Sequence, residues 1–122
     1  MCLVKRWKPF FVSTILLLFI GCTQGGDQGP LNRKEGRLLY TRHARCRMDC
    51  RHITETEVRE ILERGKIDYR KSEPNAYPDP KYAVEGTTNE GQHLRIIFAP
   101  TARGLVVVTC IELGVEWQCD CH

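Results

Sequence analysis

The sequence predicts an α+β domain, two N-terminal helices packed on a three- to four-stranded antiparallel β-meander. Three observations carry that prediction. Thr54-Glu-Thr-Glu57 has the form of a capping box, and Val58, Ile61 and Leu62 at i, i+3 and i+4 make a single apolar stripe behind it. Residues 81–87, 92–99 and 105–113 are three runs rich in β-branched and aromatic side chains. The connections between them, 88–91 and 100–104, are too short for anything but antiparallel neighbours.

Taken in order, the chain begins with a basic cluster, Lys5-Arg6-Trp7-Lys8, followed by an apolar run from Phe10 to Ile20. The run is too short to span a bilayer, which takes about 20 apolar residues, and has the layout of an export signal. It closes on Gly21-Cys22, which resembles the bacterial lipobox, with Phe19 standing where leucine is usual. That resemblance implies cleavage before Cys22, lipidation of its thiol, and membrane anchoring in the cell envelope. The expected division is a signal peptide over 1–21, a lipidated cysteine with a glycine-rich tether over 22–36, and one domain over 37–122. The 122 residues, 42% hydrophobic, allow one small domain and no more. Three of the 18 basic residues lie in the signal, so the remainder balances the 15 acidic ones and the net charge of +3 belongs to the leader.

Residues 37–41 either lead into a helix or add an edge strand. Thr41 is a suitable N-cap for a helix reaching Cys50 or Arg51, with Ala44 and Met48 turned inward and His43, Cys46, Arg47 and Cys50 on one face. The capped second helix ends at Gly65, expected as a left-handed C′ residue. Residues 65–70 suggest a short strand and 72–80, with three prolines, a loop. The run over 105–113 is the most apolar and is expected at the centre of the sheet.

Tyr40-Thr-Arg-His43-Ala44, Arg47-Met48, Arg51, Ile53-Thr54, Glu57-Val58, Leu62 and Gly65, followed by the strands and Val107-Val108-Thr109, resemble a small bacterial family of domains of unknown function. Its mark is a helix of the form H-A-x-x-R-M, and it looks related to the barnase, EndoU, colicin and RelE toxin superfamily. The resemblance implies a RelE-like fold and metal-independent RNA cleavage. In that chemistry His43 would act as acid or base, Arg47 as the phosphate clamp, and Arg45 and Arg51 as further phosphate contacts, with His93 or Tyr82 completing the acid–base pair and Thr109 orienting the substrate. RNA would then be the partner, and neither cofactor nor metal is implied. The competing expectation is a non-catalytic envelope module that binds a protein.

Seven cysteines are present. With Cys2 in the signal and Cys22 lipidated, five remain in an oxidising compartment, which favours disulfides. Cys46 and Cys50 are expected to bridge to Cys119 and Cys121, tying the C-terminal tail to the first helix, with Cys110 buried. The alternative use of the same cysteines, with His43 and His122, is a closed tetrahedral zinc site.

Overall fold

The computed structural model describes residues 29–121. The signal segment, Cys22, most of the tether and His122 lie outside the described residues. From the N-terminus the elements are β1 (Leu38–Tyr40), α1 (Arg42–Arg51), α2 (Glu55–Arg64), β2 (Lys66–Glu73), β3 (Lys81–Thr87), β4 (His93–Thr101) and β5 (Gly104–Glu112). They form one five-stranded sheet in the order β1-β5-β4-β3-β2.

This corrects the expected three- to four-stranded antiparallel meander. The sheet is mixed, because β1 precedes both helices and pairs parallel to β5, with Leu38 opposite Leu105 and Tyr40 opposite Val107. Three residues are too few to display a strand period, and their partner lies more than 60 positions away in sequence. The same pairing shifts the middle of the sheet to β4, with the more apolar β5 between β4 and β1. The strip over 65–70 extends to Glu73 as β2, an edge strand with no fully buried residue.

Both helices lie against one face of the sheet. Ala44 and Met48 of α1 and Val58, Ile61 and Leu62 of α2 share a buried core with Val84, Leu94, Ile96, Phe98, Leu105, Val107 and Cys110. Leu31 is 1% exposed and belongs to that core. Arg33 Nη1 donates to the carbonyls of Leu62 and Gly65 at 2.9 and 2.8 Å, satisfying acceptors at the end of α2. Leu31 and Arg33, within the stretch expected as tether, thus pack with the compact unit that begins at Leu31.

The α2 capping box forms as the sequence requires, with Thr54 Oγ1 accepting from Glu57 N and Glu57 Oε1 from Thr54 N. Gly65 is not left-handed; its φ is −75° and ψ 171°. A Cβ there would stand 2.7 Å from Ile61 O and from Val84 Cγ1, so glycine serves close approach of α2 to β3. The left-handed residue is His52, at φ 56°, which turns the chain from α1 towards α2.

Along β4, Leu94, Ile96 and Phe98 face the helices, which leaves His93, Arg95 and Ile97 on the opposite face. In β5, Thr109 pairs with Ile97 and Val107 with Phe98, so Val108 is an extra residue in a bulge.

Candidate functional site

Helix α1 begins where Thr41, its N-cap, accepts from Ala44 N at 2.9 Å. The Thr41 hydroxyl also donates to Val108 O at 2.9 Å, which sets the helix along β5. At the other end Arg51, only 9% exposed, donates from Nη1 to Cys110 O. Burial, and after it the neighbouring Arg47 charge, push the Arg51 pKa below the ordinary guanidinium value; Cys110 and Glu112 act in the other direction. Arg51 Nε and Arg47 Nε are both buried without an acceptor among the described residues.

Cys46 is bonded to Cys121 and Cys50 to Cys119, with Cα–Cα separations of 5.8 and 5.9 Å. These two bridges hold the tail that follows β5 against α1. Trp117 adds an edge-to-face contact with His52, with ring centroids 5.5 Å apart, and its Nε1 donates to Glu112 Oε1 at 2.9 Å. Cys110 is free and buried. Its thiol is pushed up to about 12 by burial, with Arg51 opposing. Among the described residues no cluster of three or more free His, Cys, Asp or Glu side chains has the arrangement of a metal site.

The residues named for RNA chemistry divide between places. His43 and Arg47 are on α1, partly buried on the helix side of the sheet, and His43 has no hydrogen-bond partner among the described residues. Arg45 is exposed, paired with Glu55, and its guanidinium carbon sits 4.2 Å over the Tyr40 ring. The Glu55 hydrogen bond raises the Arg45 pKa; burial first, then Glu55, raises the Tyr40 phenol to about 12. Arg51 is committed to a main-chain carbonyl and offers no exposed phosphate contact. His93 and Thr109 lie on the far face of the sheet, His93 beside a hollow of about 520 Å³ that Lys66, Asp68 and Glu85 also line. The sheet thus separates His43 and Arg47 from His93 and Thr109.

That far face was not singled out by sequence reasoning. It carries Ile97, Val106, Val108 and Ile111, all partly exposed, and no helix crosses it among the described residues. At one end a hollow of about 440 Å³ has Ala99, Val106 and Val108 on its floor and Lys81 and Arg103 at its rim. The signal for it was available in the near-continuous apolar character of β5, since a strand apolar on both faces has two surfaces to cover.

No curated protein and no solved structure matches the chain. Residues 40–112 match the family described as a domain of unknown function, DUF4258, a span that takes in both helices and ends with β5, before the bridged tail. Since the match covers more than half of the chain, the protein belongs to the DUF4258 family of domains of unknown function.

Proposed function

We propose that this chain is an exported, lipid-anchored module of the cell envelope that works by binding a protein partner and does not cleave RNA. One observation carries the reading: His43 and Arg47 stand on the helix side of the sheet, while His93 and Thr109 stand on the other. A general base, a general acid and a phosphate clamp must reach the same phosphate within hydrogen-bond distance. Of the acid–base candidates Tyr82 shares the helix side with His43, but it is buried in the core beside Phe98 and faces no open surface there. Two partly exposed bridges suit an oxidising compartment, in keeping with the export signal read at Gly21-Cys22. The partly exposed aliphatic residues of the far sheet face are the surface a partner would cover.

The test has two arms on the same protein. Oxidised protein is incubated with labelled single-stranded RNA beside His43→Ala, and no cleavage above the variant is expected. A photo-crosslinker placed at Ile97 or Ile111 in intact cells is expected to join one discrete protein, with none joined from Arg42 on the exposed side of α1. RNA cleavage abolished by His43→Ala would overturn the reading, as would crosslinking independent of the face probed.

A further inference from the structure

The four bridged cysteines come from two short segments that run side by side. Cys46 and Cys50 are one helical turn apart, a separation of about 6 Å along the α1 axis. Cys119 and Cys121 are i, i+2 in a tail outside any helix or strand, roughly 6–7 Å apart when extended. Across the gap the pairs stand 5.8 and 5.9 Å apart at Cα. With rungs of 5.8 and 5.9 Å and about 6 Å between the cysteines on each segment, the four side chains can converge on one ion through zinc–sulfur bonds of about 2.3 Å.

We propose that, when its two bridges are reduced, the chain uses Cys46, Cys50, Cys119 and Cys121 as a tetrahedral four-thiolate site for one zinc ion. Two equivalents of a dithiol supply the electrons. Each gives two electrons and two protons to one bridge and leaves as a cyclic disulfide, so four thiols form. Binding of Zn²⁺ then releases four protons, leaving a zinc-tetrathiolate unit of charge −2 on a helix of net positive charge, with Arg42 and Arg47 set against Asp49, while Arg45 is paired with Glu55 and Arg51 donates to Cys110 O. Arg47 lies between the two helical ligands in sequence, and its Nε is buried without an acceptor in the bridged form. Positive neighbours of this kind favour thiolate over thiol.

The site would hold the tail where the bridges hold it. The Trp117 contact with His52 adds to the attachment of the tail beside the bridges. One geometry therefore serves two staples, disulfides in an oxidising compartment and zinc in a reducing one. This inference does not depend on the envelope reading. Cys110, fully buried on the sheet, has no place in the site and serves as the internal control.

The experiment uses the full chain in detergent with Cys2→Ser and Cys22→Ser, reduced anaerobically with a phosphine and titrated with Co²⁺, then Zn²⁺. The expected result is one equivalent of Co²⁺ showing the thiolate charge-transfer and intense visible bands of a four-sulfur tetrahedral site, bleached by one equivalent of Zn²⁺. The oxidised chain should show neither, Cys110→Ala should keep both, and Cys46→Ser or Cys119→Ser should lower affinity more than tenfold. A reduced chain that is folded by circular dichroism yet gives no thiolate band overturns the proposal. So does a stoichiometry of one metal per two chains, or a reduced chain that stays unfolded with zinc present.

Discussion

The Arg51 guanidinium donates to the main-chain carbonyl of Cys110, 59 positions further along the chain. Beyond Val107 the strand β5 has no strand beside it on the β1 side, because β1 stops at Tyr40. An open strand edge leaves main-chain groups unpaired and invites association. Helix α1 closes this one from both its ends, Thr41 serving Val107 O and Val108 O and Arg51 serving Cys110 O. The most basic helix in the domain thus spends one of its arginines on the sheet.

Arg51→Ala removes the donor, leaves a buried carbonyl unsatisfied and opens space beneath α1. The expected cost is about 2–3 kcal/mol. It is read as a shift of the urea midpoint at unchanged slope, with both bridges intact. Arg51→Lys keeps one donor and should fall between the variant and the parent. A loss under about 0.5 kcal/mol for Arg51→Ala, the range of an ordinary surface change, would show that water takes over at the edge without penalty.

Cys110 gives the domain an alkaline limit. Its thiol rises from 9.0 to about 12 on folding because burial penalises the thiolate. Between those values the unfolded chain has lost the proton and the folded chain keeps it, so stability falls as pH rises from 9 towards 12 and is unaffected by this group below 9. Tyr40, raised from 10.0 to about 12, acts in the same direction from pH 10 upward. Denaturant midpoints measured from pH 8 to 11 should decline less steeply in Cys110→Ala than in the parent. At pH 8 the native thiol should also resist maleimide until the protein is unfolded, and rapid native labelling would contradict its burial.

Glu57 is more than a cap. Its Oε1 accepts from Thr54 N at 3.0 Å and its Oε2 from the Thr88 hydroxyl at 3.2 Å. With the Gln92 amide turned so that nitrogen faces the carboxylate, that group donates to both oxygens at 3.1 and 2.8 Å. The side chain is 4% exposed and joins the start of α2 to the β3–β4 turn. Loss of a capping side chain ordinarily costs about 1 kcal/mol. Glu57→Ala should cost about 2–3 kcal/mol, because the buried hydroxyl of Thr88 and the partly buried amide of Gln92 lose their acceptor as well. Thr54→Ala, which disturbs the cap alone, is the comparison, and equal losses in the two variants would remove the turn from the account.

The capping box was legible because its signal is local: four residues specify their own hydrogen bonds. The inward placement of Ala44 and Met48 and the runs that became β3, β4 and β5 were legible for the same reason, through a period that each segment displays by itself. What escaped was set by distant partners. Residues 37–41 were open to a lead-in or an edge strand, and the strand Leu38–Tyr40, parallel to β5, is decided by Leu105–Val107 beside it; Gly65 is required by Val84 and Ile61, not by the handedness of its own backbone. Arg51 carries no mark in the sequence that distinguishes it from Arg45, yet one is buried on a carbonyl and the other is exposed beside Glu55. The split of the histidines follows from strand parity, since moving His93 by one place along β4 would carry it to the helix side.

The two bridges should be strongly non-additive. Either one alone closes a loop spanning 75 or 69 positions, for which chain entropy gives about 4.5 kcal/mol. Once one is formed, the other closes only a ring of roughly eight residues, worth about 2.5 kcal/mol by the same relation. Removing Cys46–Cys121 or Cys50–Cys119 as a pair of serines should therefore cost about 2.5 kcal/mol each. Removing both should cost about 7 kcal/mol, well beyond the sum of the singles. The excess arises in the unfolded chain, where the first bridge already confines the tail and the second has little left to restrict, so it does not depend on new native contacts. Guanidinium unfolding of the two double-serine variants and the quadruple variant, in metal-free buffer, reads it directly. Simple additivity would mean that each bridge acts through its own native contacts with α1, and the entropic account of the staple would fail.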